Sequence, residues 1–376
     1  MSPKAKARRD RRRGGPAPAA ASATATPTTS ASPPAAPPPP ASPWLVTPAY
    51  DLVIYAGSAL WGAALVLALA RWIEPVRLWF VLNIALTAAH YGPTWLRAYV
   101  DRDARKHHGW SIYVFPPAVF GFAFATRGNP EVFAFITFFW DRWHAVMQNY
   151  GFMRLYDAKA AASTRRRARL DFALLITTAL LIMSLNMGLF APLLAAFDAL
   201  GFRPVTSVAT VRAIQITFGI ATAIAAVTWV VEARRIPRGN RVRQVPRLAF
   251  LLCLIGGHGL MNTTSNIFIL SAHEKVYHSL QYLALTWHYS KHRVTRAPEA
   301  STGSAFRMVF SPNRWPVYLL LVAVWTAFAY LGNRAVGGDV TGPGLFTALI
   351  GGFALCHYYF DSFLWRARRA QVRATL

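Results

Sequence analysis

Histidines recur in the apolar part of the chain, with a spacing that places several of them on one face of a helix. In the stretch 271–292 the polar side chains share an arc of about 80° on an α-helix. These side chains are Glu274, His278, Gln281, His288 and His292. Neutral imidazole is the commonest metal ligand in proteins, so such a row points to chemistry at a bound metal ion or to proton transfer.

Four other apolar stretches carry ionisable side chains of the same kind. They contain His90, then Asp141 with His144, then His258, and finally His357 with Asp361 one helical turn later. Such groups are costly in hydrocarbon, so inside membrane spans they usually face the bundle interior and mark function. The predicted metal ligands are His90, His144, His258, His278, His288, His292 and His357. The predicted catalytic carboxylates are Asp141, Glu274 and Asp361. Asp141 and Asp361 fit equally a role as metal ligands or a role in orienting a neighbouring imidazole, and Glu274 also fits a pairing with Lys275 or a helix cap.

The elements that must position these residues are transmembrane helices. Hydrophobic residues make up 54% of the 376 residues and charged residues 15%. Apolar runs of membrane-spanning length recur from residue 50 onward. The sequence therefore predicts an all-α, polytopic membrane bundle of about ten spans. The predicted spans are 50–70, 77–98, 111–126, 131–152, 170–195, 210–231, 248–270, 271–290, 315–332 and 343–364.

The distribution of basic residues predicts the orientation of these spans. The net charge is +25, and most of the 40 Lys and Arg residues fall in the two tails and in alternate loops. That alternation is the positive-inside pattern, which predicts a bacterial-type inner membrane protein with both termini in the cytoplasm and argues against nucleic-acid binding. Residues 1–43 are basic and then rich in Ala, Pro, Ser and Thr, which predicts a disordered cytoplasmic tail before a membrane domain over 44–376.

The depths of the histidines support a common centre. Counted at the rise of an α-helix from the nearest cytoplasmic basic residue, His90 lies about 10 Å deep and His357 about 14 Å. His144 and His258 come out at about 15–16 Å, and His278 at about 20 Å. Histidines from five helices are therefore expected to converge in the cytoplasmic half of the bilayer. His288 lies about 15 Å along the helix from His278, which predicts a second, shallower group of His288 and His292 with loop His107 and His108.

Histidines near the cytoplasmic ends of helices, together with the His288-x-x-x-His292 pair, resemble in a general way those of the histidine-rich integral-membrane iron enzymes. These are the fatty-acid desaturases and hydroxylases and the membrane carotenoid-cleaving dioxygenases. The His-x-x-His-His boxes of desaturases are absent from this sequence. The resemblance implies one or two non-haem iron ions that activate dioxygen, a hydrophobic, lipid-like substrate that enters from the bilayer, and an electron-donor protein.

Two other functions fit the same residues. His144 with His258, or His90 with His357, are suitable axial ligands for haem in an electron-transfer protein. A transporter in which His, Asp and Glu relay protons is the second alternative.

Overall fold

The computed structural model describes residues 42–365, except for 128–129, 187–193, 195–196, 199–200, 203–206 and 336–344. The predicted disordered tail, 1–43, lies almost entirely outside the described residues. The described residues belong to one compact unit, Pro40–Leu376, and contain helices and no strand, as predicted.

The helices are numbered in chain order. They are α1 (Pro48–Tyr50), α2 (Ser58–Leu69), α3 (Pro75–Leu82), α4 (Ala89–Val100), α5 (Arg102–His108), α6 (Ser111–Ala125), α7 (Pro130–Lys159), α8 (Arg165–Leu185), α9 (Val208–Arg234), α10 (Arg238–Arg241), α11 (Val245–Met261), α12 (Ile267–Arg296), α13 (Glu299–Thr302), α14 (Ser304–Phe310), α15 (Trp315–Ala335) and α16 (Leu345–Leu364). Two π-helical segments, Asp51–Ala56 and Asn83–Ala88, follow α1 and α3.

Four described helical segments are long and apolar enough to cross a membrane. They are Arg165–Leu185, Val208–Arg234, Arg238–Met261 and Trp315–Gly332. A fifth is counted if Pro48–Ala56 and Ser58–Leu69, which meet at a bend of 51°, form one span. A membrane protein is therefore indicated, but ten spans are not confirmed. The helices α7 and α12, each of 30 residues, do not qualify because ionisable and amide side chains interrupt their apolar surfaces.

Helix α12 is the element around which the candidate site is built. It begins where the Asn266 side chain accepts hydrogen bonds from the backbone N–H groups of Phe268 and Ile269, a typical N-cap. It packs against α2, α3, α4 and α14. Polar side chains of α12 are buried along most of its length, from His273 to Arg293. A helix enclosed by neighbours in this way need not be apolar, which explains its mixed composition.

The π-helical segment Asn83–Ala88 ends immediately before α4, which begins one residue before His90. A π-helical segment is rare and frequently lies at a functional site, because the wider turn changes the direction of the side chains that follow. His90 is directed into the bundle, where only 1% of its surface is exposed.

Two fully buried aspartates join α7, α8 and α11. Asp157 and Asp171 are both 0% exposed, and Arg154 contacts both of them. Arg167 Nη2 donates to Asp157 Oδ1 at 2.7 Å. Arg247 pairs with Asp171 and places its Nε 3.4 Å from Asp157 Oδ1. These ion pairs connect three helices, and none of them includes a histidine.

Replacing Asp171 by asparagine is expected to lower the free energy of unfolding by about 3–5 kcal/mol, because it leaves buried guanidinium groups without their counter-charge. The measurement is thermal or denaturant unfolding of the purified protein in detergent. Glu232→Gln is the matched control, since Glu232 pairs at 3.0 and 3.4 Å with two arginines that are mostly exposed. Such surface pairs contribute about 0–1 kcal/mol. Equal effects of the two substitutions would contradict the structural role of the network.

Candidate metal centre

Four of the predicted histidines meet inside the bundle. His90 on α4, His144 on α7, His278 on α12 and His357 on α16 are all buried, and one ligand nitrogen from each lies within 4.8 Å of the others. His357 Nε2 is 3.1 Å from His90 Nε2 and 3.2 Å from His144 Nε2. The His278 ring centroid lies 5.2 Å from that of His90 and 5.0 Å from that of His144. Each ligand therefore comes from a different helix.

The donor set fits a single metal ion. Two nitrogens bound to one ion at about 2.0–2.1 Å, with an angle of about 90–110°, lie about 2.9–3.4 Å apart, which matches the two measured separations. In addition, Nδ1 of His278 is buried and has no hydrogen-bond partner among the described residues. A buried nitrogen without a partner is costly, and a metal ion would satisfy the unprotonated lone pairs of the cluster.

The same distances argue against haem at this position. Axial ligands on the two faces of a haem are separated by two metal–nitrogen bonds, or about 4 Å, with the porphyrin between them. His90 and His357 approach to 3.1 Å, and two further imidazoles crowd them. The other predicted haem pair is not formed, because His258 lies outside the group that contains His144.

Hydroxyl groups fix the orientation of two of the imidazoles. Thr94 Oγ1 lies 2.7 Å from His357 Nδ1, and Ser279 Oγ lies 3.2 Å from His90 Nδ1. A hydrogen bond at one ring nitrogen sets the tautomer and leaves the other nitrogen for the metal, so both histidines present Nε2 to the centre. Thr94 lies one helical turn after His90 on α4, and only the structure shows that it contacts His357.

Asp361 is the predicted carboxylate that faces the histidines. Its Oδ2 lies 3.7 Å from His357 Nε2 and 3.9 Å from His144 Nε2. Its Oδ1 accepts a hydrogen bond of 2.7 Å from the hydroxyl of Tyr282, which also contacts Thr94. One oxygen is thus directed to the centre and the other to a phenol, an arrangement that can hold or pass a proton.

The other two predicted carboxylates form ion pairs. Asp141 Oδ2 accepts from Arg142 Nη2 at 2.6 Å and lies 3.5 Å from Lys275 Nζ. Arg142 also pairs with Glu274 on the facing helix. The hydroxyl of Tyr358 donates to Asp141 Oδ1 at 2.7 Å. Asp141, Arg142, Glu274 and Lys275 form a charge-balanced group, hereafter the ion quartet, one turn from His144 and His278.

The remaining predicted ligands lie elsewhere. His258 Nε2 is 3.4 Å from the hydroxyl of Tyr277, and its ring lies 5.4 Å from that of His273. His273, which the sequence did not single out, donates from Nε2 to the carbonyl oxygen of Ala59 at 2.7 Å.

His288 and His292 of the predicted shallower group lie near enough to interact with each other. The ring of His288 lies 4.8 Å from the ring of Tyr50. His108 stacks on Phe363 at 3.6 Å, and His107 lies beside His108. Neither His288 nor His292 belongs to the cluster of potential metal ligands found among the described residues.

The centre thus consists of four imidazoles, one facing carboxylate and two orienting hydroxyls, enclosed by helices. Compared with known protein families, curated proteins and solved structures, the chain matches none of them.

Proposed function

We propose that the protein is a membrane-embedded, metal-dependent oxidoreductase whose ion is held by His90, His144, His278 and His357. The observation that carries the proposal is the convergence of four buried imidazoles from four helices, with ligand atoms within 4.8 Å of one another. A neutral imidazole set of this kind suits Fe, Cu, Zn or Ni, and we favour one non-haem iron ion. One cluster of four ligands among the described residues favours one ion over two.

The reaction we propose is an oxygenase, hydroxylase or desaturase reaction on a hydrophobic, lipid-like substrate. A bound iron ion would supply the electron transfer to dioxygen that such a reaction needs. The protein supplies orientation of the ligands through Thr94 and Ser279, and a proton-holding group through Asp361. Tyr282, which donates to Asp361, extends that proton path by one hydroxyl. The enclosure of the centre by helices excludes bulk water from the reaction.

The cellular setting follows from the sequence and is part of the proposal. About ten spans in a bacterial-type inner membrane, with both termini cytoplasmic, bring the centre into the cytoplasmic half of the bilayer. The substrate then enters from the lipid, and an electron-donor protein acts at the cytoplasmic side. Nucleic acid has no part in this function.

Elemental analysis and absorption spectroscopy of the purified protein test this function. We expect close to one iron ion per chain and no Soret band. After chemical reduction of the bound iron to iron(II), exposure to dioxygen is expected to oxidise it to iron(III), which absorption spectroscopy follows. The His144→Ala protein, reduced and exposed in the same way, is the control. A Soret band would instead support the haem alternative, and a protein that retains no metal would favour the proton-relay transporter. Stoichiometric zinc without redox activity would leave the metal centre in place and refute the oxidoreductase.

A further inference from the structure

Arginines are concentrated at one end of the described structure, where three candidate membrane spans begin or end. These spans are Arg165–Leu185, Val208–Arg234 and Arg238–Met261. Residues 165–169 and 232–243 contain nine arginines and one acidic residue, Glu232. The end of a membrane span lies at the level of the lipid head groups, so these arginines lie at a membrane surface.

Contacts between these segments join their ends into one surface. Nε of Arg166 on α8 and Nη1 of Arg235 after α9 lie 3.0 and 3.4 Å from the same oxygen of Glu232. Nη2 of Arg241 on α10 donates to the backbone carbonyl oxygen of Arg234 at 3.2 Å. The exposed arginines of the three segments therefore adjoin one another and are hereafter called the arginine surface. Its members are Arg165, Arg166, Arg169, Arg234, Arg235, Arg238 and Arg241.

The arginine surface carries more positive charge than the neighbouring acids compensate. Glu232 is the only acid within ion-pair distance of it in the part of the chain that the structure describes. The buried ion pairs next to it supply no further anion, because three arginines there share Asp157 and Asp171. Seven arginines against one carboxylate leave an excess of positive charge, which attracts an external anion.

An apolar stripe extends from the arginine surface along α11. Val245, Leu248, Leu252 and Ile255 share an arc of about 80° on this helix. Between 43% and 60% of the surface of each is exposed. The stripe continues from Val242, which directly follows α10 and is 73% exposed. A ligand that suits both features has a negatively charged head and hydrocarbon chains that begin beside it.

We propose that the arginine surface binds the phosphate groups of anionic phospholipids, whose acyl chains lie along the apolar stripe of α11. Basic segments that adjoin membrane spans are attracted to anionic lipids. The planar guanidinium presents paired N–H donors that match the oxygens of a phosphate, which favours arginine for this contact. The loops that carry these arginines are predicted to be cytoplasmic, so the bound lipids belong to the cytoplasmic leaflet.

Titration of the purified protein in a neutral detergent with phosphatidylglycerol, followed by native mass spectrometry, tests the inference. Phosphatidylcholine, which has no net charge, is expected to bind about tenfold more weakly. The variant R165Q/R169Q/R234Q/R238Q is expected to lower the affinity for phosphatidylglycerol to a similar extent, and added salt should reduce the difference between the two proteins. These four arginines form no ion pair within the described residues, so the unfolding temperature is expected to stay unchanged.

The matched control is the variant R102Q/R105Q/K106Q/R314Q. It removes the same number of exposed cations from two other loops on the side predicted to be cytoplasmic. The control is expected to bind phosphatidylglycerol as the native protein does. Equal weakening in both variants would show that binding follows the net charge alone, and unchanged binding in the first variant would show that the arginine surface takes no part. Either result overturns the inference.

Two further probes distinguish a lipid from other anions. Glycerol 3-phosphate carries a phosphate without the acyl chains and is expected to bind much more weakly than phosphatidylglycerol. Equal binding of the two would show a site for free phosphate and refute the lipid. If polyglutamate binds to the arginine surface more tightly than phosphatidylglycerol does, the surface fits an acidic protein partner, and the lipid assignment is wrong.

The experiment separates this inference from the metal centre. The His144→Ala protein is expected to lose metal but to bind phosphatidylglycerol with the native affinity, and R165Q/R169Q/R234Q/R238Q is expected to retain its metal. A native protein without metal would refute the proposed function and leave the lipid-binding surface intact. Equal affinity of the native protein for phosphatidylglycerol and phosphatidylcholine would refute the inference and leave the metal centre intact.

Discussion

Replacement of His357 by alanine is expected to abolish metal binding. Its Nε2 lies 3.1 and 3.2 Å from the ligand nitrogens of His90 and His144, so it stands at the centre of the cluster. Loss even of a group that only orients a ligand weakens metal affinity by about 10–100-fold, and loss of a ligand is expected to exceed that range. The measurement is metal content per chain after dialysis, followed by titration against a competing chelator.

Two other histidines serve as matched controls for this experiment. His273→Ala removes an equally enclosed imidazole, of which 1% is exposed, and His258→Ala removes its neighbour. Both variants are expected to keep the metal, because neither side chain belongs to the four-histidine cluster. Loss of metal from His273→Ala with an unchanged unfolding temperature would show that the centre is assigned to the wrong histidines.

A single methyl group at Gly257 is expected to destabilise the protein severely. A Cβ at this position would lie 2.2 Å from the carbonyl oxygen of Ala59 and 2.6 Å from its carbonyl carbon. Both are backbone atoms of α2, which cannot move aside as a flexible side chain does. Overpacking in a core costs about 1–3 kcal/mol and occasionally more, and Gly257→Ala belongs at the upper end of that range. The measurement is the unfolding temperature in detergent.

Gly259→Ala on the same helix is the control for this substitution. A Cβ there meets nothing within 4 Å, so the change is expected to be neutral or to stabilise the helix by about 0.5–1 kcal/mol. Similar unfolding temperatures of the two variants would contradict the close approach of α2 and α11.

Two quantities that can be read from the sequence, helical periodicity and distance from the basic loops, predicted much of the centre. Helical periodicity selected the inward face of each helix, and the distance from the basic loops gave the depth. Together they predicted that His90, His144, His258, His278 and His357 would converge, and all but His258 do so.

The prediction for His258 shows the limit of that reasoning. Depth along a helix does not tell which neighbour the helix packs against. Gly257 allows α11 to approach α2 closely, and the next residue, His258, is placed beside His273 and not beside His144. The hydroxyl partners of the ligands were likewise beyond sequence reasoning, because Ser279 and His90 are 189 residues apart in the chain.

The number of spans that hydropathy can identify depends on how apolar each helix is. A helix such as α12, buried on most sides by protein, carries many polar residues and so lacks the apolarity of a lipid-facing span. The most apolar helices, including α9, are largely exposed and form the outer part of the described structure. Hydropathy therefore identifies the wall of the bundle more readily than the helices that hold the centre.

The origin of the four ligands in distant parts of the chain has a consequence for biogenesis. His90 and His357 touch across 267 residues, and His357 lies on α16, the last of the described helices. During synthesis, no partly inserted chain that lacks α16 contains the full ligand set. Binding of a metal ion by all four histidines would therefore require α16 to be synthesised and packed against α4, α7 and α12. Nascent chains stalled before α16 should remain metal-free and, with unpaired polar helices in the bilayer, become substrates for membrane proteases.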